Sequence, residues 1–559
     1  MGGSWSAFGP PSTVGSFAGE TMLLLTDGSV LIHDAQNWAN WYRLTPDYLG
    51  NYPTGTWSPR LPMAIGRNFF SSAVLRDGRV YVIGGEHSSA GDVTPSGEIF
   101  DPGLDTWGTW GPLAKPGEFA YIQGDAPGAV LADGRVLLGD LTYVSPPFST
   151  ALWDPATGEW TVAGSAFGTL PYDTKSIVCD EETWTLLADG SVLTVDVSTP
   201  PYTERYVPSL DIWVSAGTTK SDLPLTTITD PTGTVVDVDE IGPAILLPDG
   251  RLFAIGATGQ TGLYTPPPAG SDPRTPGSWA EGPAFPADTS PGHVWPTLTA
   301  SDAPAVLQTN GKVLLTAGIL YEDTAGPQPG YFSKNMTFLE FDPAANALSA
   351  FSAVPFSPSS APSTYVARFL LLPTGQILLT TTGSEIYIYT PDAASNNPPA
   401  AWKPANISVA SDMYIGYSYT VSGTQLNGLS QAVAYGDDAQ MATNYPIVQL
   451  TNPATGRVAY ARSYDFSTMG VATGDAVQSC TIDIPSDLAA GEWNLVVIAN
   501  GIPSEPPVSV NLRIWPCQEI LDQLEYLSPG DFDTPGEYSR AVKYFLQQLK
   551  ECEKEYGSP

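Results

Sequence analysis

Glu20 to Asp34 reads ETMLLLTDGSVLIHD: an apolar run, a turn centred on Asp27-Gly28, and a second apolar run. Two short aliphatic and β-branched runs joined by Asp-Gly form a tight hairpin, because glycine reaches positive φ without a steric penalty. The same plan returns as FSSAVLRDGRVYVIGG around Gly78, APGAVLADGRVLLGD around Gly134 and TWTLLADGSVLTVD around Gly190. Three more copies follow, GPAILLPDGRLFAIGA around Gly250, APAVLQTNGKVLLTAG around Gly311 and ARFLLLPTGQILLTT around Gly375.

The turn glycines stand 50, 56, 56, 60, 61 and 64 residues apart. Most copies are followed by a short strand that ends near a proline and then a tryptophan, as in EIFDPGLDTW (98–107) and ALWDPATGEW (151–160). A period of this length with several strands per unit is the pattern of a kelch-type β-propeller, and seven copies imply seven blades. Trp5 resembles the tryptophan of the second element. Residues 3–8 are therefore expected to supply an outer strand to the seventh blade, closing the ring and removing a free sheet edge.

The propeller is expected over residues 1–403. From 404 to 514 the repeat is lost, and short alternating strands such as GRVAYARSYDF and EWNLVVIAN suggest an immunoglobulin-like β-sandwich. From 515 to 559 two amphipathic stretches flank a Ser-Pro-Gly-Asp break, predicting a short helical hairpin. Ile520, Leu521 and Leu524 share one helical stripe, and Val542, Phe545, Leu546, Leu549 and Cys552 another. The fold class is all-β with this one helical addition. Cys517 and Cys552 lie one on each arm; either they form a disulfide or Cys552 is only an apolar member of its stripe.

The chain carries 58 acidic against 23 basic residues, a formal charge of −35. Nucleic acid and anionic membrane are excluded as partners by repulsion. No apolar run reaches the ~18 residues of a membrane span. No basic start with an apolar stretch behind it marks a secretion signal. With 55 glycines, 53 prolines and 14% charged residues, the composition is that of a turn-rich β protein.

A propeller followed by such a sandwich, with RNFFSSAVLRDGRVYVIGG, YVARFLLLPTGQILL and YGDDAQMATNYPIVQLTN as they stand here, resembles the galactose oxidase and glyoxal oxidase family over about residues 16–510. The resemblance implies a copper ion held by two tyrosines and two histidines. One of those tyrosines is thioether-linked to a cysteine and stores a radical, which oxidises an alcohol or aldehyde and makes peroxide. It also implies an extracellular or cell- or particle-surface location. The cross-linking cysteine would stand nine residues before the first turn glycine, where this chain has Gly19. Its tyrosine partner would stand nine before the second, where Phe69 is found. Of the Tyr-His pair in the seventh repeat, Tyr365 is kept as a remnant and Val366 replaces the histidine. The last histidine falls closest to Phe466. Phenylalanine, valine and glycine offer copper no ligand, so copper is not expected.

The three histidines, His33, His87 and His293, match no metal-binding spacing. Asp125, Asp180, Glu181, Glu182, Glu240 and Asp302 all lie near the starts of first hairpin strands, which gather at one end of a propeller channel. Asp180, Glu182, Glu240 and Asp302 are candidate ligands for Ca²⁺; alternatively these acids cap strands and bond loop backbone or Arg67 and Arg368. No GxSxG, P-loop, HExxH or dinucleotide motif occurs. The expected function is a non-catalytic binding or structural module with a glycan or protein ligand, attached to an assembly through its helical hairpin or propeller loops. The alternatives are a copper oxidase with a relocated site and a carbohydrate hydrolase that uses the acids of the channel mouth.

Overall fold

The computed structural model describes residues 3–10, 14–91, 94, 96–110, 126–139, 150–164, 175, 179, 181–230, 232–287, 293–323, 330–356, 361–392, 397–435 and 441–557. Among the described residues seven antiparallel blades follow in chain order, six of them four-stranded sheets and the sixth joined by a fifth short strand, each built on one Asp-Gly-type hairpin or its Asn-Gly or Thr-Gly variant. In the first blade Gly19–Leu24 pairs with Val30–Asp34, which pairs with Trp41–Thr45 and then Thr56–Pro59. Inner strands are buried on both faces, because each blade is packed between two others; this is why they read as unbroken aliphatic runs. Outermost strands such as Glu159–Val162 alternate between exposed and half-buried, with tryptophans turned inward.

The ring closes on itself. Ser4–Phe8 pairs with Ile386–Thr390 as the outer strand of the seventh blade, and Trp5 Nε1 donates to the Ala353 carbonyl at 3.0 Å. Residues 405–513 form the sandwich, in which Val458–Tyr464 pairs first with Ile447–Thr451 and then with Val477–Asp483, passing from one sheet to the other.

The sandwich covers the face of the propeller where the first hairpin turns lie. Ser463, Phe466 and Met469 donate backbone hydrogen bonds to the carbonyls of Thr26, Arg76 and Ala132, at the turns of the first three blades. Gly28 has φ 75°, and a Cβ there would lie 2.5 Å from the Tyr460 ring, so this turn needs glycine twice over. The inner strands therefore begin at the opposite, uncovered face. One piece of the sandwich reaches that far: Val433–Ala434 pairs with Ala305–Leu307, the inner strand of the sixth blade, and lies against the inner strands of the fifth and seventh. The second domain thus puts a bolt into the propeller channel.

Beyond the sandwich, helix α1 (Gln518–Tyr526) and helix α2 (Pro535–Tyr556) form the hairpin. Thr534 and Glu537 build a capping box, with Pro535 in the first turn. A disulfide joins Cys517 to Cys552 with Cα atoms 5.9 Å apart. The helices pack on each other and bury no residue fully. Among the described residues no helix is long and apolar enough to cross a membrane.

Candidate functional site

The uncovered face, where the seven inner strands start, gathers the positions singled out in the sequence. It divides into two halves.

At the seventh, first and second blades the lining is aromatic around a buried guanidinium. Arg368 opens the inner strand of the seventh blade and is 1% exposed. Its Nη1 donates to the carbonyls of Tyr365 at 2.6 Å and Ala367 at 3.0 Å. Its guanidinium carbon stands 3.5 Å from the centre of the Tyr435 ring and 5.8 Å from that of Phe69. Tyr435, at the tip of the bolt, donates its hydroxyl to the same Tyr365 carbonyl at 2.9 Å. Phe69 adopts φ 48°, a left-handed conformation uncommon for a bulky residue, and its ring edges His87 at 6.3 Å. His87 in turn stacks on Trp38 at 6.1 Å.

Behind this surface Glu20 and His33 are buried together, with Nδ1 2.6 Å from the carboxylate and Nε2 2.9 Å from the Trp38 carbonyl. Burial works against the charge of Glu20, but the His33 hydrogen bond and the charges of His33 and Arg368 together hold it below the usual carboxylate range. Arg67 is likewise buried, bonded to the Gly84 and Ser96 carbonyls and paired with Glu98 at 3.3 Å.

At the fourth to sixth blades the lining is acidic. Glu181, Glu240 and Asp302 each bring a carboxylate oxygen to within 4.8 Å of the others. Glu181 and Asp302 sit at φ 58° and 43°, turning the chain so that side chains just before two inner strands face a third. Glu240 ends a raised hairpin, Leu225–Thr229 with Val235–Glu240, that packs through Leu225 and Ile228 on Leu320 and Tyr331 of the long sixth-blade hairpin. Three carboxylates in this arrangement can offer oxygens to a hard cation such as Ca²⁺.

Glu182 is not among them. It points into the fourth blade, where Lys175 Nζ donates to it at 2.7 Å and pairs with Glu204 at 2.6 Å. Trp184 Nε1 and Thr194 also donate to Glu182. Burial pushes Glu182 up to about 8; Lys175 opposes that shift, while Glu204 and Asp196 add to it. The Ca²⁺ expectation is thus corrected at this position, since an ammonium already occupies the carboxylate. Asp125 and Asp180 lie outside the described residues.

The copper positions do not assemble a site. Gly19 has no room for a cysteine, because a Cβ there would lie 2.9 Å from Thr380 and 3.2 Å from Phe17. Phe69 brings its ring and Tyr365 its backbone carbonyl to Arg368, while the Tyr365 ring packs against Phe332 at 5.1 Å, and Val366 offers no ligand atom. Phe466 belongs elsewhere: it is buried at the turn face, stacked on Tyr445 at 6.1 Å and bonded to Arg76 through its backbone. Its place as the sandwich's contribution to the channel is corrected to the bolt, residues 431–435, which bonds Leu186 through Gln431 and Tyr365 through Tyr435. A guanidinium enclosed by two rings and two carbonyls leaves no room for a metal dication, and the residues present do not fit copper. On the turn face beyond the sandwich a cleft of about 540 Å³ opens between the third, fourth and fifth blades. Its charges are already paired, Arg135 with Asp133 and Arg205 with Asp189.

No protein-family model and no curated protein matches the chain by sequence. Among solved structures it is similar to a fungal alcohol oxidase of the AA5 family determined in complex with copper, at 13% identity and a TM-score of 0.49, over 92% of this chain and all of that one. It is also similar to the extracellular domain of a hybrid two-component system of B. thetaiotaomicron, at 10% identity and a TM-score of 0.42, over 92% of this chain and 60% of that one. An auxiliary nutrient binding protein of Bacteroides ovatus aligns at 8% identity and a TM-score of 0.30, over 68% of this chain and all of that one. The seven-bladed propeller itself rests on the sheet topology described above.

Proposed function

We propose that this chain is a non-catalytic binding or structural module of an extracellular surface, appendage or particle, and that it holds a glycan or protein ligand at the uncovered channel mouth. The observation that carries this reading is Arg368. Between the Phe69 and Tyr435 rings and beside the Tyr365 carbonyl the protein keeps its own buried cation. Around it Trp38, Phe69 and His87 are partly exposed, and the raised hairpins of the fifth and sixth blades wall the other side. A rigid scaffold that carries partly exposed rings beside long loops is a stacking surface for sugars or for peptide side chains.

The alternative is a carbohydrate hydrolase using the acids of the channel mouth, where Glu181, Glu240 and Asp302 bring carboxylate oxygens within 4.8 Å of one another. The deciding experiment is copper loading and dialysis, followed by metal quantitation and a peroxide assay, beside a glycan-array screen of the same preparation. We expect no retained copper, no peroxide, and glycan binding that weakens at least tenfold in Trp38→Ala. Stoichiometric copper with peroxide, or sugar release from the array, would sink the reading.

A further inference from the structure

We infer that the Cys517–Cys552 disulfide is a redox latch: its reduction by a dithiol melts helix α1 and releases helix α2, while the propeller and the sandwich stay folded. The inference goes beyond the binding reading above and stands without it. It starts from how little else holds the hairpin together. Neither helix buries a residue fully. Ile520, Leu521 and Leu524 of α1, and Val542, Phe545 and Leu549 of α2, are only half-buried, although the two helices pack on each other. A unit this small, without a buried core of its own, depends on a staple.

The two arms depend on it unequally. Helix α1 has 9 residues, against the about 12–15 that an isolated helix needs in water. Its N-cap is Cys517, which makes no side-chain capping bond, and its last turn carries no basic residue. Helix α2 has 22 residues, a capping box at Thr534 and Glu537, and Lys554 in its last turn. A released α2 therefore keeps part of its helix, and a released α1 does not.

The bond sits at the root, where α1 leaves the sandwich and the end of α2 returns to it. Beside it the described polar ties are the Tyr417 hydroxyl, which donates to Gln518 at 2.8 Å, and Trp515 Nε1, which donates to the Gly557 carbonyl at 3.3 Å. Each is one hydrogen bond, worth roughly tenfold or less in a folding equilibrium. Closing a loop across a separation of 35 residues is worth roughly 10²–10³-fold by chain entropy. The hydrogen bonds cannot replace it.

The exchange has one entrance. Cys517 is 0% exposed, whereas Cys552 is half-buried. A thiolate of the dithiol attacks Cys552 Sγ, the S–S bond breaks, and Cys517 leaves as a thiolate that takes up a proton. The second thiol of the reductant then displaces Cys552, which is protonated in turn. The reductant ends as a disulfide and the protein as two thiols. Cys179 and Cys480 are buried away from solvent. Burial pushes the Cys480 thiol up to about 12, so it offers no thiolate to reshuffle the bond.

The test is amide hydrogen exchange on the full oxidised chain, with and without dithiothreitol, while alkylation and intact mass count the thiols opened. Both cysteines of the hairpin are expected to become alkylated, and exchange over residues 518–526 to quicken on the order of 10²–10³-fold. Residues 535–556 should quicken less, and the inner strands of the blades and the strands of the sandwich not at all. Cys517→Ser/Cys552→Ser should exchange like the reduced chain and ignore dithiothreitol. A bond that dithiothreitol leaves intact in the folded chain would overturn the inference. So would a hairpin that exchanges at one rate with the bond open or closed, or a loss of protection that spreads into the sandwich.

Discussion

Arg368 and Lys175 are both buried cations at the inner ends of blades, and the protein stabilises them by opposite means. Arg368 is held by carbonyl dipoles and the negative faces of Phe69 and Tyr435. Lys175 is held by two carboxyl groups, Glu182 and Glu204. Dipoles and ring quadrupoles do not titrate near neutrality, so the direct seat of Arg368 does not change with pH. Lys175 shares its ammonium between two carboxyl groups, and the proton on Glu182 can leave. One propeller thus seats one cation on groups that do not titrate and another on groups that do.

The largest way to break this contrast is Lys175→Met. It strands Glu182 and Glu204 in the fourth blade and should cost about 3–5 kcal/mol in urea unfolding. Adding Glu204→Gln should return a measurable part of that loss. Arg368→Met removes a desolvated cation–π contact and should cost about 2 kcal/mol by the same measurement. The third test uses pH itself. Glu182 is raised from its ordinary 4.5 to about 8, so the folded state holds a proton that the unfolded chain has released. Its contribution is therefore fully present below 4.5, falls as pH rises, and is gone above about 8. Urea midpoints measured across this window should decline in the wild type and flatten in Glu182→Gln; parallel curves would remove the distinction between the two seats. The smallest effect is expected of Tyr435→Phe. It deletes one hydroxyl bond to the Tyr365 carbonyl while keeping the ring under Arg368, for about 1 kcal/mol.

The propeller was legible because its determinant is local and repeated: one turn glycine and two aliphatic runs, seven times over, with Trp5 supplying the missing outer strand. Phe69 and Tyr365 were legible as positions near the start of an inner strand for the same reason, since each is counted from its own turn. The seat of Arg368 was not, because it is completed by Tyr435 from a two-residue strand that no repeat frames. Phe466 was misplaced on the same account: nothing in the sandwich sequence says which loop enters the channel. The acids were legible as a neighbourhood but not as a set. Glu181 and Glu182 are adjacent, but the left-handed turn at Glu181 sends the two side chains apart, one to the mouth and the other to Lys175.

The strand Ser4–Phe8 has a consequence for how the molecule is made. Its pairing partner, Ile386–Thr390, leaves the ribosome nearly 380 residues after it. At roughly 5–20 residues per second the wait is on the order of 20 to 80 s. During that time the ring is an open arc with Trp5 in solvent, and every blade must form before the last can be completed. The bolt at Val433–Ala434 comes later still, so translation order itself ensures that the channel is assembled before it is plugged.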